Sequence, residues 1–290
     1  MFKVFVDTDE EITLQKAQEY GFELISMPYT LNGELYYTYK TLEPFDYKGY
    51  YDTLRSGVIP STSALNSEEY INYFEPVFKE GYDILYAHFS SAMSASFGFM
   101  QTAVDELLKK YPERKFHVID TMSITIGSYI IVDEIGQMYK RGASLEEILE
   151  WGRKEVQHFA CYFFADDLKF FRKSGRVSGL ASFFGNLIGV RPIIVIDDKG
   201  VMRSIDKARG RVNAINYLVN KIDELGLDVT NHKIIIGHTD AGEIVEQLKQ
   251  QLEEKYEGKA NIEVICVNPT IGGHCGPNGV GVAFHAIKRN

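Results

Sequence analysis

Apolar runs of strand length alternate along this chain with stretches of helical periodicity, and in the first half the strand-like runs end on hydroxyls and carboxylates. Residues 2–6 lead into Asp7-Thr8-Asp9, residues 82–89 into Ser90-Ser91-Ala92-Met93-Ser94-Ala95-Ser96, and residues 116–119 into Asp120-Thr121-Met122-Ser123. Helices are expected near residues 14–20 and 97–108, with another running toward Lys140 and stopping at Gly142. Repeated β-then-α units imply an α/β fold with a mainly parallel sheet, because parallel neighbours need a crossover between them. Ligand sites in such sheets lie beyond the carboxyl ends of the strands.

Local signals fill in this outline. Residues 23–28 read as a second strand, followed by a turn at Asn32-Gly33. Asn66 with Glu69, and Ser144 with Glu147, have the spacing of capping boxes and open two further helices. Pro76 should kink or shorten the first of them, since it lacks an N–H and crowds the preceding turn. The second half changes character, with a strand at 159–165, a basic stretch at 168–176 and a Gly/Ser-rich stretch at 175–189. A hairpin is expected over 193–205 around Asp197-Asp198-Lys199-Gly200, then a helix near 214–225. A β-α-β run follows over 233–267, and a last strand over 280–287. Together these predict two domains, an N-terminal α/β domain over 1–158 and a C-terminal α/β domain over 159–290.

Charge and cysteine usage narrow the function classes. With 31 Lys+Arg against 40 Asp+Glu the net charge is −9, which disfavours nucleic acid and anionic membrane surfaces as partners. Three cysteines, none in a CxxC pair, argue against a disulfide framework and for a reducing compartment. No stretch reaches about 18 uninterrupted apolar residues, so no integral membrane association is expected. The first residues lack the marks of a secretory signal, which makes the cytoplasm the expected location. No His/Cys/Asp grouping has zinc-like spacing, so no metal is expected.

Four segments can carry chemistry. The loop Ser90 to Ser96 stands at the start of a helix, where free N–H groups and the dipole favour an anion; this segment alone favours the plainer reading that Ser94 or Ser96 caps the helix. Thr62-Ser63 adds a second hydroxyl pair on a loop. His274 lies among Gly272, Gly273, Gly276 and Gly279, which let backbone approach a ligand closely. Its imidazole could bond a carboxylate, serve as base for a serine, or bind a carbonyl compound covalently. His88 and His238, at strand ends, read as structural histidines. Arg172-Lys173-Ser174-Gly175-Arg176 is the densest basic run, and Gly185-Asn186-Leu187-Ile188-Gly189 matches no nucleotide-binding fingerprint. An alternative from these residues is a serine hydrolase or acyltransferase using Ser94 and His274, although no GxSxG elbow is present.

The order of these segments resembles the DegV family, whose characterised members are fatty-acid-binding subunits of a bacterial fatty-acid kinase. Val6-Asp7-Thr8 resembles its opening strand end, Thr62-Ser63 its threonine-serine loop, and Ser90-Ser91 through Ser94 its serine-rich turn. Asp120-Thr121 with Ser123 and Gly127, the segment Ser174-Gly175-Arg176-Val177-Ser178, Gly189-Val190-Arg191-Pro192-Ile193 and Gly273-His274-Cys275-Gly276-Pro277 are similar to its later motifs. The resemblance implies a two-domain DegV-like fold with the ligand pocket between the domains. It further implies a lipid-binding protein with no catalytic residue, cofactor or metal of its own. The carboxyl of a bound long-chain fatty acid would be held by Thr62, Ser94 and His274, with Ser63, Ser91, Ala95 and Cys275 as secondary candidates. A separate kinase subunit would supply ATP and phosphorylate the lipid, with Arg172 and Arg176 as docking residues. The chain departs from the family pattern at Ala64-Leu65, Ala95, Ser174 and Asn278.

Overall fold

Four strands form a fully parallel sheet in the order Glu23–Ile25, Phe2–Asp7, Asp83–His88 and Phe116–Asp120. The structure is a computed structural model that describes residues 1–40, 44–180 and 189–290. Each parallel step is made by a crossover containing a helix, as the alternation in the sequence requires. The helix Leu14–Tyr20 matches its expected span, and Ser96–Lys110 covers the expected 97–108. Both capping boxes form, at Asn66 and at Ser144. The helix Ser67–Lys79 continues through Pro76 and ends within one turn of it.

The second sheet is mixed and seven-stranded, in the order Asn261–Cys266, Lys233–His238, Val280–His285, Phe159–Phe164, Val190–Ile196, Met202–Arg209 and Val177–Ser178. Its hairpin, Val190–Ile196 with Met202–Arg209, turns at Asp197, whose side chain accepts from the N–H groups of Lys199 and Val201. Lys233–His238 and Asn261–Cys266 are the parallel pair of the β-α-β run. Of the Gly185–Gly189 run, only Gly189 lies within the described residues.

One expected element divides in two. The strand read over 23–28 ends at Ile25, and a separate strand, Pro28–Leu31, belongs to a small antiparallel sheet with Glu34–Tyr37 and Ser61–Thr62. Ser26 takes the backbone out of the first sheet: its N–H donates to the Tyr73 hydroxyl and its own hydroxyl donates to the Thr38 carbonyl at 2.6 Å. This small sheet sets Tyr29 opposite Thr62.

The helix Ile126–Lys140 joins the layers. Residues from every side of it are buried, the pattern of an interior helix rather than a surface one. It packs on three strands of the second sheet and on the turn that leaves Phe2–Asp7. Gly127 lies against Cys161, and Gly237 against Ile126, so the second sheet comes close to this helix. Among the described residues no helix is long and apolar enough to cross a membrane.

Candidate functional site

Three chain segments far apart in sequence meet at one cavity of about 280 Å³. The first is Thr62, in the short strand Ser61–Thr62. The second is Ser94, in the loop between Asp83–His88 and Ser96–Lys110. The third is His274, in the last turn of the helix Pro269–Cys275. All three line the cavity. The Thr62 hydroxyl and His274 Nε2 are hydrogen-bonded at 2.9 Å across 212 residues of chain.

The helix Pro269–Cys275 is held from several directions. Asn268 caps it, accepting from the N–H groups of Thr270 and Ile271 and donating to the Thr8 carbonyl at 2.8 Å. Tyr50 and Tyr51 donate to the carbonyls of Pro269 and Val267, each at 2.7 Å. A Cβ on Gly273 would lie 2.6 Å from Pro60, so only glycine lets the loop before Thr62 pack this closely. Gly276 ends the helix with φ +72° against the Phe170 ring, where a side chain would be both strained and crowded.

Burial, and secondarily the charge of Arg176, push the His274 pKa down to about 4. The imidazole is therefore neutral at pH 7, with one nitrogen that donates and one that accepts. Arg176 lines the same cavity. Thr62, His274 and Arg176 also line a smaller cavity of about 110 Å³ beside it, together with Lys173 and Ser174. These three residues thus stand at the wall between the interior and a basic outer face.

The remainder of the wall is mainly apolar. Met27, Phe89, Met93 and Ile124 come from the first half of the chain; Phe163, Phe171, Met202 and Val280 come from the second. The cavity thus lies between the two sheets. Ser63, Ala95 and Cys275 line it as well, whereas Ser91 does not: its side chain is exposed and its N–H faces the Asp120 carboxylate at 3.3–3.4 Å. Arg172 is exposed on the helix Leu168–Ser174.

The capping reading of Ser94 and Ser96 holds in part: Ser94, one residue before the cap position, takes the N–H of Ser96 in the first turn. Ala95 occupies the cap position and makes no side-chain bond. Ser94 accepts from the Ser96 N–H at 3.1 Å and donates to the Ser96 hydroxyl at 3.0 Å, which leaves acceptor capacity facing the cavity. No hydrogen bond joins Ser94 to His274, the contact that a serine nucleophile and its base would need. His88 is buried and bonded through Nδ1 to the Phe89 carbonyl, but its Nε2 has no partner. His238 lines the cavity, and its Nδ1 accepts from the Ala241 N–H at 3.3 Å.

Asp9 is the wall residue that the sequence reading did not single out. It belongs to a buried acidic turn of Asp7, Asp9, Glu10 and Glu11, none more than 6% exposed. Asp7 accepts from the Tyr86 hydroxyl at 2.8 Å, and Glu11 accepts from the Thr125 hydroxyl at 2.7 Å and from the Asn268 N–H at 2.9 Å. Among the described residues no cation pairs with any of the four. Burial pushes Asp7 and Glu11 up to about 7; burial and the neighbouring carboxyls raise Asp9 and Glu10 well above the usual carboxylate range.

A family model described as "Uncharacterised protein, DegV family" matches residues 1–286. The chain belongs to the DegV family. A DegV domain-containing protein of Clostridium perfringens is 33% identical over 237 residues, which cover 82% of this chain and 81% of that one. Two solved DegV-like structures share the fold. A DegV lipid binding protein from Thermotoga maritima gives a TM-score of 0.82 at 23% identity, covering the whole of both chains. The fatty acid kinase (Fak) B3 protein of Streptococcus pneumoniae, loaded with linoleic acid, gives 0.82 at 16% identity over 99% of each chain. The DegV fold of this chain therefore extends through both sheets, with the cavity between them.

Proposed function

We propose that this DegV protein buries the acyl chain of a long-chain fatty acid in the cavity and holds its carboxyl group at Thr62, Ser94 and His274. The observation that carries this reading is the Thr62–His274 pair at 2.9 Å, set with Ser94 in the wall of a mainly apolar cavity. Apolar transfer of about 0.8 kcal/mol per buried methylene supplies affinity. A carboxylate leaving water needs donors; the Thr62 hydroxyl supplies one when His274 Nε2–H donates to it, and the Ser94 hydroxyl supplies another by turning from Ser96 to the ligand. The Thermotoga maritima DegV lipid binding protein and the linoleic-acid-loaded Streptococcus pneumoniae protein, both of the same fold, support the ligand class.

In this reading the chain presents the lipid and a separate kinase subunit supplies ATP. The carboxylate oxygen bonds to the terminal phosphorus of ATP, and ADP leaves. Arg172 and Arg176, at the basic outer face, are the proposed docking residues. The Ser94 and His274 geometry favours this reading over hydrolysis, because the histidine is engaged by Thr62.

Native mass spectrometry of Ser94→Ala and His274→Ala tests the site. Each variant should carry markedly less fatty acid than the parent, by about tenfold if a bond to a charged group is lost. Unchanged occupancy in both would overturn the assignment of these residues.

A further inference from the structure

Ser94 and His274 reach the cavity from different sheets. Ser94 rides on the loop that leaves Asp83–His88 in the first sheet, whereas His274 follows Asn261–Cys266 in the second and is bonded to Thr62. Among the described residues the Ser94 hydroxyl bonds only to Ser96, on its own loop. Its place relative to His274 must therefore be set elsewhere in that loop.

The ties gather at Ser90, the root of the loop, which is 1% exposed. Its N–H donates to the Ser123 carbonyl at 2.6 Å, its carbonyl accepts from the Met93 N–H at 3.1 Å, and its hydroxyl oxygen accepts from the Ala92 N–H at 3.3 Å. These last two bonds close the turn immediately before Ser94, and they use only the acceptors of Ser90. The one hydroxyl proton goes outside the loop, to the Gly200 carbonyl at 2.8 Å across 110 residues of chain.

Gly200 stands at the tip of the hairpin formed by Val190–Ile196 and Met202–Arg209 in the second sheet. It has φ +72°, and a Cβ there would lie 2.2 Å from the Ser90 hydroxyl and 3.2 Å from Met122 Cα, so the hairpin tip meets the serine loop through bare backbone. Both sides of this contact are braced. Asp197 fixes the tip by accepting from Lys199 and Val201, and the buried Arg289 donates to the carbonyls of Thr121 and Met122, beside Ser123.

Resting on the fatty-acid reading, we propose that Ser90 is a positioning residue for the carboxyl site: its hydroxyl ties the serine loop to the hairpin tip of the second sheet and so keeps Ser94 in register with Thr62 and His274. Ser90 does not line the cavity, so it acts through Ser94 and not on the ligand. The leverage is geometric, because a hydrogen bond is lost once donor and acceptor part beyond about 3.5 Å, and a loop released from the second sheet need drift only about 1 Å to reach that.

A double-mutant cycle tests this, with delipidated full-length protein titrated with palmitate and read by native mass spectrometry. Ser94→Ala should weaken palmitate by about tenfold, and Ser90→Ala should reproduce most of that loss. The double variant should bind no more weakly than Ser94→Ala alone, since Ser90 has nothing left to position. Ser90→Cys, which keeps the shape and weakens the donor, takes the place of alanine if that variant fails to fold. Losses that multiply in the double variant would show that Ser90 supports the fold at large; they would overturn the inference and leave the fatty-acid reading standing. So would full affinity in the Ser90 variant beside a weakened Ser94→Ala. Unchanged affinity in Ser94→Ala would overturn the carboxyl site itself, and the inference with it.

Discussion

The hydroxyl end of the cavity and the acidic turn that borders it are both built where chain leaves a strand, yet they treat charge in opposite ways. At Thr62, Ser94 and His274 the protein gathers neutral donors around a space, with Arg176 alongside. At Asp7, Asp9, Glu10 and Glu11 it buries four carboxyls, of which Asp7, Glu10 and Glu11 accept from hydroxyls or N–H groups and none meets a cation among the described residues. The first arrangement lacks a negative charge that a ligand can bring; the second is tolerable only while protons remain on most of its members. The difference teaches that polar strand ends in an α/β fold are not equivalent, and that the balance of donors and acceptors decides which one receives an anion.

The largest effect should come from emptying the hydroxyl end. Thr62→Val with His274→Ala removes the bonded pair while nearly preserving volume at Thr62, and fatty-acid occupancy measured by native mass spectrometry should fall at least about tenfold. The acidic turn should keep its pH sensitivity in this variant. Persistence of full occupancy would break the comparison.

The acidic turn makes its own prediction through pH. Burial pushes Asp7 and Glu11 up to about 7 in the folded chain and raises Asp9 and Glu10 well above the usual carboxylate range, all above their unfolded values. The folded state then holds more protons than the unfolded one, so these groups lower stability as pH rises. Below pH 6.5 the buried His88 and His274, both pushed down to about 4, oppose this trend, because the unfolded chain takes up their protons first. The raised carboxyls outnumber the two histidines, so Tm measured by thermal denaturation should fall by several degrees between about pH 5 and 7. Glu10→Gln keeps the acceptor for the Asp7 N–H and removes one acid, so it should flatten this fall while changing Tm little near pH 4. An unchanged slope would show that Glu10 does not take part.

The smallest effect is expected at the basic face. Arg176→Ala should leave fatty-acid occupancy within about twofold, because the residue lies at the wall rather than among the three proposed ligands. It should instead weaken ATP-dependent phosphorylation of the bound lipid by the kinase subunit. Equal loss of lipid and of phosphorylation would sharpen the comparison by moving Arg176 into the carboxyl site.

Periodicity and capping chemistry made most of the fold legible, because Asn66-Glu69 and Ser144-Glu147 are local signals that the structure realises as capping boxes. The split of the strand over 23–28 was not legible, since it depends on Ser26 bonding to Tyr73 and to the Thr38 carbonyl, partners supplied by tertiary structure. The meeting of Thr62 and His274 could not be read from spacing either; family motif order brought them forward as candidates. The acidic turn was visible as carboxylates at a strand end, but its burial is imposed from outside, by Thr125, Asn268 and the central helix. Asp9 stands at the carboxyl end of the first strand, where ligand sites lie, but the sequence does not tell it from Asp7 as the one that lines the cavity.

The central claim is that the cavity holds a long-chain fatty acid. Organic extraction of the purified protein, followed by mass spectrometry of the extract, tests it most directly. The account predicts close to one equivalent of long-chain monocarboxylic acid per chain, lost from the Thr62→Val and His274→Ala double variant. A folded protein that yields no such acid, and takes none up when it is supplied, would contradict it.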